Sequence, residues 1–423
     1  MMEETSEFAT KFIPEFLVEQ FPRARRSLRI AVVTETYAPE VNGVALSAAR
    51  FVDGLRRREH EVQLVRPRQD QDRGSRASPQ QDVLTHGVPI PNYPGLRMGL
   101  PATRALARLW SRNRPDVVHV LTEGPLGWSA VSAARKLKLP VISDFRTNFH
   151  SYSRHYGIGW LGQPILAYLR KFHNRTLCTL VPTEAMRAEL AALGFRDLRV
   201  VARGVDTTLF DPARRSEALR STWGVGPADP VLLHVGRIAA EKNFSALVSA
   251  YAAARARQPR SRLVLVGDGP ARADVQSQCP DAIFAGTRRG EDLATHYASA
   301  DMFLFPSLTE TYGNVTLEAL ASGLAVVAFG YAAAADTIRH GDNGLLAPMG
   351  DADAFAALAA TAVSDLVRAR VMGAQARETA LKLGWDLVVR QLETLLEVAA
   401  GVATPSGEMK GGQRTPSPLP QTR

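Results

Sequence analysis

Residues 305–318 read FPSLTETYGNVTLE, a strand end, a loop and a helix start. Two carboxylates, Glu310 and Glu318, flank the turn, and Gly313 lets the backbone approach a ligand closely. Free amides in the first turn of a helix favour a phosphate. Carboxylates only accept hydrogen bonds, so a pair of them beside a phosphate suits a ligand rich in hydroxyl groups. The stretch therefore predicts a site for a phosphate together with a sugar and a ribose.

A second group of polar residues follows the apolar run Val231–Val235. Arg237 and Lys242 stand just beyond the carboxyl end of that run, after Gly236. Open α/β sheets bind ligands at this end of their strands. A leaving nucleoside diphosphate accumulates negative charge as its bond to the sugar breaks, and fixed cations can stabilise that charge without a divalent metal. We therefore expect both cations to act on the same ligand as the carboxylates.

Short apolar runs alternate with longer helical patterns through most of the chain. The runs are Ile30–Thr34, Val62–Arg66, Val117–Leu121 and Val141–Ser143 in the first half, and Val231–Val235, Leu263–Val266, Ile283–Phe284, Met302–Phe305 and Ala325–Phe329 in the second. This alternation predicts βαβ units and parallel sheets. Because 423 residues exceed the size of one ordinary core, two α/β domains are expected.

Both polar groups resemble signatures of one large enzyme family, glycosyltransferase family 4. Glu310 and Glu318 match its E-x7-E motif, and Arg237 and Lys242 match its R-x4-K pair. The resemblance implies the GT-B fold, in which two Rossmann-like domains with parallel sheets face each other across an interdomain cleft. It also implies sugar transfer from a nucleotide sugar with retention of the anomeric configuration.

The resemblance also implies roles for the matching residues. Glu310 would face the hydroxyl groups of the donor sugar and act in catalysis with Arg237 and Lys242, while Glu318 would hold the ribose. Backbone amides would meet the sugar and the phosphate at four positions, Tyr312, Gly313, Asn314 and Val315. These expectations all concern the binding of the donor.

Glycine loops at other strand ends also match the family pattern. Gly236 and Gly267 end two strands of the second half, in tight turns that let chain and donor come close. Gly43, in the loop YAPEVNGV of residues 37–44, matches a family glycine near phosphate and acceptor. Thr287 lies where the family forms its nucleobase pocket. We expect all four residues to bind the donor.

Two positions depart from the family pattern. Many relatives carry a histidine near the donor sugar where this chain has Arg146. Either Arg146 takes that place as a partner of a hydroxyl or phosphate group, or His150 approaches from further along. Residues 330–335 read GYAAAA where many members have paired glycines. This Tyr-Ala form resembles mannosyl- and sulfoquinovosyl-type lipid glycosyltransferases, which favours GDP-mannose as donor.

Composition indicates which kind of partner the protein binds and in which cellular compartment it works. The formal net charge is +9 with a pI of about 9.8, but no basic run is interleaved with aromatics, which disfavours nucleic acid. A basic surface favours an anionic membrane. The two cysteines, Cys178 and Cys279, fall in different predicted domains, as expected in a reducing cytoplasm. Apolar runs fall far short of the roughly 20 residues that span a bilayer. We expect a cytoplasmic enzyme, peripheral on the inner face of the membrane.

The chain divides into five predicted segments. They are an N-terminal extension at 1–27, an acceptor-side Rossmann-like domain at 28–203, a nucleotide-sugar-binding Rossmann-like domain at 204–385, a helix at 386–401 that crosses back to the first domain, and a disordered tail at 402–423. Residues 201–212, VARGVDTTLFDP, are typical of an interdomain connector. The extension resembles an amphipathic basic segment, and the polar stretch Gln69–Gln81 predicts an exposed loop.

The predicted reaction transfers a hexose, preferably mannose, from a nucleoside diphosphate sugar to a hydroxyl group of a lipid or glycan acceptor. The resemblance implies that no metal or other cofactor takes part. No carboxylate nucleophile stands out, which agrees with same-face attack in which the leaving phosphate takes the acceptor proton. Two alternatives stay open. A GT-B-like epimerase or phosphorylase shares the fold, and Arg146 with the basic extension suggests a catalytically silent sugar-nucleotide-binding or membrane-scaffolding subunit.

Overall fold

The chain folds into two α/β domains, each built on a parallel β-sheet. The computed structural model describes residues 27–38, 40, 42–69, 72, 82–89, 97–146, 162–310 and 312–402. The first sheet is formed by the first half of the chain and the second sheet by the second half. The fold predicted from the alternation of apolar runs and helical patterns is confirmed.

The first domain surrounds a seven-stranded sheet. Its strands are β1 (Arg29–Val33), β2 (Glu61–Pro67), β3 (Asp82–Thr85), β4 (Gly87–Pro89), β5 (Arg97–Gly99), β6 (Val117–Val120), β7 (Val141–Asp144), β8 (Cys178–Val181) and β9 (Leu198–Val200). Its helices are α1 (Gly43–Arg57), α2 (Thr103–Arg112), α3 (Pro125–Lys136), α4 (Gly162–His173) and α5 (Glu184–Ala192). The sheet order is β3-β2-β1-β6-β7-β8-β9, and β4 pairs separately with β5.

The second domain surrounds a six-stranded sheet. Its strands are β10 (Val231–Val235), β11 (Arg262–Val266), β12 (Ile283–Gly286), β13 (Met302–Phe305), β14 (Ala325–Phe329) and β15 (Gly344–Ala347). The helices that follow the first domain are α6 (Glu217–Thr222), α7 (Phe244–Arg257), α8 (Arg272–Gln278), α9 (Gly290–Ala298), α10 (Asn314–Ala321), α11 (Ala332–Thr337), α12 (Ala352–Ser364), α13 (Leu366–Leu381) and α14 (Trp385–Ala399). The sheet order is β12-β11-β10-β13-β14-β15.

Both faces of each sheet are buried. In β1, Ile30 and Val32 belong to the core cluster that includes α1, whereas Ala31 and Val33 belong to the cluster that includes α3. Successive side chains of a strand point to opposite faces, so an unbroken apolar run fills two cores at once. This burial explains why apolar runs in the sequence predict the strands.

All nine apolar runs named from the sequence form strands, with ends displaced by at most two residues. Four further strands of the two sheets are not predicted from the sequence, namely β3, β8, β9 and β15. Each has three or four residues and lies at or next to a sheet edge. Thr179 in β8 and Arg199 in β9 interrupt the apolar runs there, and β3 and β15 begin at Asp82 and Gly344.

The chain crosses between the domains at two segments that lie side by side. The Val205 N–H donates to the Leu383 carbonyl at 3.0 Å, and Val205 forms a short parallel bridge with Gly384. A Cβ atom at Gly204 would lie 2.7 Å from the Cα atom of Trp385. Only glycine therefore allows the two segments to approach this closely.

Helix α14 returns to the first domain after the second crossing. Its apolar face joins the core cluster of α1 through Trp385, Val388, Val389, Leu392 and Leu396. The Trp385 ring meets the Phe51 ring edge-on, with 5.9 Å between their centres. A Cβ atom at Gly54 would lie 2.6 Å from Val389 Cγ2, so the missing side chain lets α1 and α14 pack together.

A buried carboxylate also attaches α14 to the first domain. Glu393 accepts hydrogen bonds from Arg58 Nε at 2.6 Å and from His60 Nε2 at 3.0 Å. Because His60 Nδ1 accepts the Leu28 N–H at 3.1 Å, the ring proton lies on Nε2 and faces Glu393. Glu393 is 2% exposed, so these bonds replace the water that its charge has lost.

Most of the predicted extension and tail lies outside the described residues, since these begin at Ser27 and end at Val402. Val402 falls within the predicted disordered tail, but it packs against the core cluster of α1 and α14. Its N–H donates to the Glu397 carbonyl at 2.9 Å. The prediction is therefore wrong at Val402, because α14 supplies both an apolar surface and a backbone partner there.

The prediction of an exposed loop at Gln69–Gln81 is wrong at the two residues of it that the structure describes. Gln69 is 8% exposed and donates to Glu40 Oε1 at 2.8 Å. Asp72 accepts from both terminal nitrogens of Arg66, at 2.7 Å and 2.8 Å. Polar composition indicated solvent contact, but here polar groups pair with one another.

Replacing Glu393 by alanine should destabilise the protein, because the His60 N–H and the Arg58 guanidinium then lose their acceptor. Breaking a buried pair of this kind costs about 3–5 kcal/mol. Glu397→Ala is the matched control, since that carboxylate lies one turn further along α14 and makes no side-chain hydrogen bond within the described ranges. Thermal unfolding should show a Tm several degrees lower for Glu393→Ala alone. Equal Tm values would show that Glu393 does not stabilise the docking of α14.

Candidate active site

The loops at the carboxyl ends of β10 and β11 touch backbone to backbone. A Cβ atom at Gly267 would lie 1.9 Å from the Gly236 carbonyl oxygen. The Gly236 N–H donates to the Val266 carbonyl at 2.9 Å. Gly267 has a φ of +134°, a conformation that favours glycine. A side chain at position 267 has no room, so these glycines allow two loops to form one continuous surface.

Lys242 and Glu310 form an ion pair at this edge of the second sheet. The Lys242 Nζ atom contacts Glu310 Oε1, and the two side chains are 17% and 16% exposed. Ser307 Oγ donates to the same carboxylate oxygen at 2.8 Å. The Tyr331 hydroxyl donates to the Glu310 carbonyl at 3.1 Å. Residue 310 is therefore held in place through both its side chain and its backbone.

Arg237 does not join that ion pair. Its side chain is 66% exposed, and its Nη1 atom lies 3.6 Å from Glu241 Oε1. An exposed ion pair of this kind contributes little to stability. The sequence treats Arg237 and Lys242 as equivalent cations, but the structure brings only Lys242 into contact with Glu310.

Helix α10 begins at the loop that follows Glu310. Gly313 precedes the helix with a φ of +91°, and no side chain caps the helix start at Asn314. The amides of the first turn, including that of Val315, are therefore not in competition with a capping side chain for an anion. Tyr312 is buried, and its hydroxyl donates to the Arg203 carbonyl at 3.3 Å. This bond links the loop to the end of the first domain.

Glu318 lies in the second turn of α10, beside a cavity of about 170 Å³ between the domains. The cavity is lined by residues of both domains, among them Leu46, Arg50, Gly204, Asn314 and Trp385. The Tyr297 hydroxyl donates to Glu318 Oε2 at 3.0 Å. Burial raises the pKa of the Glu318 carboxyl to about 7, although the hydrogen bond from Tyr297 opposes this change.

Asp144, at the carboxyl end of β7, connects two buried side chains of the first domain. Arg146 Nε donates to Asp144 Oδ2 at 2.7 Å, and His119 Nε2 lies 3.0 Å from Asp144 Oδ1. Burial would raise the pKa of Asp144, but Arg146 and His119 lower it to about 2. Arg146 is 5% exposed, and its Nη1 atom has no hydrogen-bond partner among the described residues. His150 lies outside those residues, so the choice between Arg146 and His150 stays open.

Gly43 begins α1 and lies against Arg203. A Cβ atom at Gly43 would lie 2.6 Å from Arg203 Nη1. The same nitrogen donates to Asn314 Oδ1, at the start of α10, at 3.3 Å. From the sequence, Arg203 is predicted only as part of the connector, with no role in the site. The available signal was a charged residue within the apolar run VVARGV of residues 200–205.

Thr287 is exposed and directly follows β12. The Gly267 N–H donates to the Gly286 carbonyl at 2.9 Å, which brings the loop of Thr287 next to the two glycine loops. No side-chain hydrogen bond of Thr287 is found within the described ranges. Its role beside a nucleobase therefore stays a prediction.

Ala332 lies in residues 330–335, the stretch that differs from the family pattern. Its φ is +51°, which costs an alanine roughly 1–2 kcal/mol relative to ordinary helical backbone. The next residue, Ala333, donates its N–H to the Tyr312 carbonyl at 2.8 Å. The loop thus keeps a backbone conformation typical of glycine and remains joined to the start of α10.

The structure also shows which metal-binding and membrane features the described residues lack. Within them, no three His, Cys, Asp or Glu side chains are grouped to hold a metal ion. None of the helices in this part of the chain is long and apolar enough to cross a bilayer. Cys178 and Cys279 are free thiols, and burial raises the pKa of both, that of Cys178 to about 12.

Two family models match the chain. Residues 41–209 match the model described as Glycosyltransferase Family 4, and residues 229–365 match the one described as Glycosyl transferases group 1. The second match includes Arg237, Lys242 and both carboxylates of the E-x7-E stretch. The two matches together cover most of both domains.

Named relatives match over most of the chain. This chain is 36% identical to a GDP-mannose-dependent alpha-mannosyltransferase of Mycobacterium tuberculosis over 383 residues. The match covers 89% of this chain and 98% of the relative. Identity to a sulfoquinovosyl transferase of Arabidopsis thaliana is 32% over 312 residues, or 72% of this chain and 60% of the relative. Identity to an alpha-monoglucosyldiacylglycerol synthase of Streptococcus pneumoniae is 30% over 316 residues, or 72% and 71%. The similarity to the mannosyl- and sulfoquinovosyl-type branch is confirmed.

A solved structure confirms the fold. Sucrose-phosphate synthase from Thermosynechococcus elongatus superposes with a TM-score of 0.71, covering 88% of this chain and 99% of that chain. The sequences are 20% identical, so this likeness concerns the fold alone. The predicted GT-B arrangement of two facing Rossmann-like domains is therefore confirmed.

The pKa of Glu318 should make stability fall as the pH rises. The carboxyl titrates near its ordinary 4.5 when unfolded and at about 7 when folded. Below pH 4.5 the folded and the unfolded state both carry the proton, so this carboxyl does not change the free energy of unfolding. Between pH 4.5 and 7 the unfolded state releases its proton first, which favours unfolding by up to about 3 kcal/mol.

Glu318→Gln removes this penalty, because the amide carries no charge at any pH. Thermal unfolding at each pH gives the Tm of Glu318→Gln minus the Tm of the wild type. This difference should be more positive at pH 8 than at pH 5. Tyr297→Phe is the companion variant, since it removes the hydrogen bond that favours the charged carboxylate. It should make the pH dependence steeper. The same Tm difference between Glu318→Gln and wild type at both pH values would contradict the prediction.

Proposed function

Because the chain belongs to glycosyltransferase family 4, we propose that it transfers mannose from GDP-mannose to a hydroxyl group of a lipid or glycan acceptor. The donor is supported by 36% identity to a GDP-mannose-dependent alpha-mannosyltransferase over 98% of that relative. A lipid acceptor is supported by 30% identity to an alpha-monoglucosyldiacylglycerol synthase. The observation that carries the proposal is the Lys242–Glu310 pair beside the uncapped start of α10.

The proposed donor lies along the carboxyl edge of the second sheet. Glu310 accepts hydrogen bonds from hydroxyl groups of the sugar, and its carboxylate is already oriented by Lys242. The diphosphate meets the first-turn amides of α10 at Asn314, where the helix dipole favours negative charge. Glu318 accepts a hydrogen bond from the ribose, and the base lies beside Thr287. Ribose hydroxyl groups favour the charged form of Glu318, so they offset part of the burial that raises its pKa.

The proposed reaction is a displacement on one face of the sugar, which retains the anomeric configuration. The bond between the anomeric carbon and the oxygen of the distal phosphate breaks, and the acceptor oxygen bonds to the same carbon. The acceptor proton passes to the leaving diphosphate, so no carboxylate has to act as base. Negative charge grows on the diphosphate during this step. Lys242, Arg237 and the amides of α10 stabilise that charge, a role that a divalent metal fills in other enzymes.

A basic and apolar patch on the first domain supports an acceptor at an anionic membrane. The patch consists of exposed residues of α2 and of the segment before it, Met98, Leu100, Arg104, Arg108 and Arg112. The arginines recur every four residues, so they share one face of α2. Each cation near an anionic bilayer contributes about 1 kcal/mol. We propose that this patch of α2 holds the enzyme peripherally on the inner face of the membrane.

A thermal-shift screen tests the donor. A ligand at 100 times its Kd stabilises the native state by about 2.7 kcal/mol, and the stabilisation grows as the Kd falls. At equal concentrations, GDP-mannose should therefore raise the Tm more than UDP-glucose or ADP-glucose. Arg237→Ala should remove most of the shift and leave the Tm of the ligand-free protein unchanged, because this side chain is exposed. Arg339→Ala is the control, an arginine whose side chain is 70% exposed and also has an acidic neighbour. It should keep the full shift.

The outcomes of this screen separate the alternatives. A larger shift with a UDP- or ADP-sugar would leave the family assignment intact and make mannose transfer from GDP wrong. No shift with any nucleotide sugar would favour a catalytically silent membrane-scaffolding subunit. Slow hydrolysis of GDP-mannose that is lost in Glu310→Ala would exclude that subunit, because a silent protein hydrolyses nothing.

Vesicle binding tests the patch of α2. Vesicles that contain phosphatidylglycerol should bind the protein at low salt and release it as salt rises. Reversing two charges, Arg104→Glu with Arg108→Glu, should weaken binding roughly 30-fold or more. Arg260→Glu with Arg339→Glu is the charge-matched control on the second domain, where both side chains are exposed. Cosedimentation that is independent of salt, or reduced equally by both double variants, would rule out the patch.

A further inference from the structure

Arg203 is a buried cation in the cleft that forms no ion pair with a described carboxylate, although Glu310 and Asp144 lie near enough to raise its pKa. It is 6% exposed and lies where the chain leaves the first domain, after β9. Its Nη1 atom donates to Asn314 Oδ1 at 3.3 Å and lies against Gly43. Its Nε atom is buried and has no hydrogen-bond partner within the described ranges. The guanidinium therefore has unused donors inside the protein.

The other buried arginines of the described residues differ from Arg203 in their partners. Each of the three reaches a carboxylate: Arg66 contacts Asp72, Arg146 contacts Asp144, and Arg220 contacts Asp301. Removing an ion from water costs several kcal/mol, so a buried charge is normally paired. Arg203 has the burial of a paired arginine without the acidic partner. Such a position favours an anion supplied by a ligand.

The surroundings of Arg203 add positive potential. Helix α1 begins beside it at Gly43 and helix α10 begins beside it at Asn314, and a helix start carries the positive end of the dipole. Burial first, and the Arg146 charge second, lower the pKa of Arg203 to about 10. Two guanidinium groups and two helix starts thus lie close together. Because Asp144 already balances Arg146, an anion bound here would offset the charge of Arg203 and the positive ends of the helices.

We propose that Arg203 binds a phosphate group held between Gly43 and the first turn of α10, since Asn42 already caps the Val44 and Ala45 amides of α1. The inference rests on the proposed function, because a nucleotide sugar brings a diphosphate to α10. A guanidinium presents its N–H groups as a planar fork that matches the oxygens of a phosphate. Arg203 contacts Asn314, where the donor diphosphate is proposed to lie, so the distal phosphate of the donor is the source that fits. A phosphorylated acceptor would offer the same chemistry.

Arg203 acts from a different part of the molecule than the other proposed cations do. Lys242 and Arg237 follow β10 in the second domain, whereas Arg203 belongs to the first crossing between the domains. A phosphate bound at Arg203 would touch the first domain at Gly43 and the second domain at Asn314. Arg203 would therefore bind the leaving group and connect both walls of the cleft through it.

Isothermal titration with GDP and GMP tests the proposal. Arg203→Gln should weaken GDP binding about 10- to 100-fold and GMP binding less than about threefold, since only GDP carries the distal phosphate. Arg203→Lys keeps the charge and loses the fork, so its loss should be intermediate. Arg199→Gln makes the same change at an exposed arginine of β9 and should leave both affinities unchanged. UDP with UMP, or ADP with AMP, replaces this pair if the donor screen selects that base.

The Tm of the ligand-free protein distinguishes a binding role from a structural one. Removing a buried charge that lacks an acidic partner should leave the Tm of Arg203→Gln equal to that of the wild type, or higher. A lower Tm with equal losses of GDP and GMP affinity would make Arg203 a structural residue. That result would overturn the proposal.

The other outcomes show whether the role of Arg203 or the proposed donor is wrong. They also show whether the phosphate at Arg203 belongs to the donor or to the acceptor. If wild type and Arg203→Gln bind GDP equally, the inference fails and the donor proposal stands. If the wild type binds no GDP, UDP or ADP, both fail. Glycerol 3-phosphate is the probe for a phosphorylated acceptor. If Arg203→Gln loses affinity for this probe and keeps its affinity for GDP, the assignment to the donor is overturned.

Discussion

The architecture depends on one close contact, the approach of Gly204 to Trp385 where the chain crosses between its domains. Because the crossings touch, α14 completes the core of the first domain although it follows the second domain in sequence. The same contact lies beside the start of α10, so that Glu318 and Arg50 line one cavity. A side chain at position 204 would separate the crossings and disturb the core and the cleft together. Stability and assembly of the candidate site therefore depend on the same few atoms.

The cleft neutralises some of its charges and leaves others unbalanced. The half-buried Lys242 pairs with Glu310, and a fully buried pair, Arg146 with Asp144, lies at the end of β7. Neither Glu318 nor Arg203 forms an ion pair among the described residues. Burial shifts the pKa of each toward its neutral form, upward for Glu318 and downward for Arg203. Burying these two charges costs desolvation free energy. A ligand whose hydroxyl groups and phosphates bind them would offset that cost, and this gain would form part of its binding free energy.

Local pattern made most of the fold and part of the site predictable. Strands buried on both faces are apolar runs, and the strand-loop-helix junction of Glu310 and Gly313 follows from its own sequence. Packing between distant segments was not predictable. Arg237 and Lys242 carry the same charge on one loop, yet Glu310 from another strand contacts only Lys242. Arg203 is buried by α1 and α10, which lie more than a hundred residues away on either side, and no local pattern records their approach.

Arg203 and the arginines of α2 differ in how dissolved salt acts on them. The α2 arginines are exposed, and at 0.15 M ionic strength charges in water are screened beyond a Debye length of about 8 Å. Screening weakens the field of a buried guanidinium much less. If Arg203 binds a phosphate, a compact divalent anion such as sulfate would compete for the same place. The chemical identity of the buffer anion, as well as the ionic strength, therefore decides how much of the positive potential at Arg203 a nucleotide encounters.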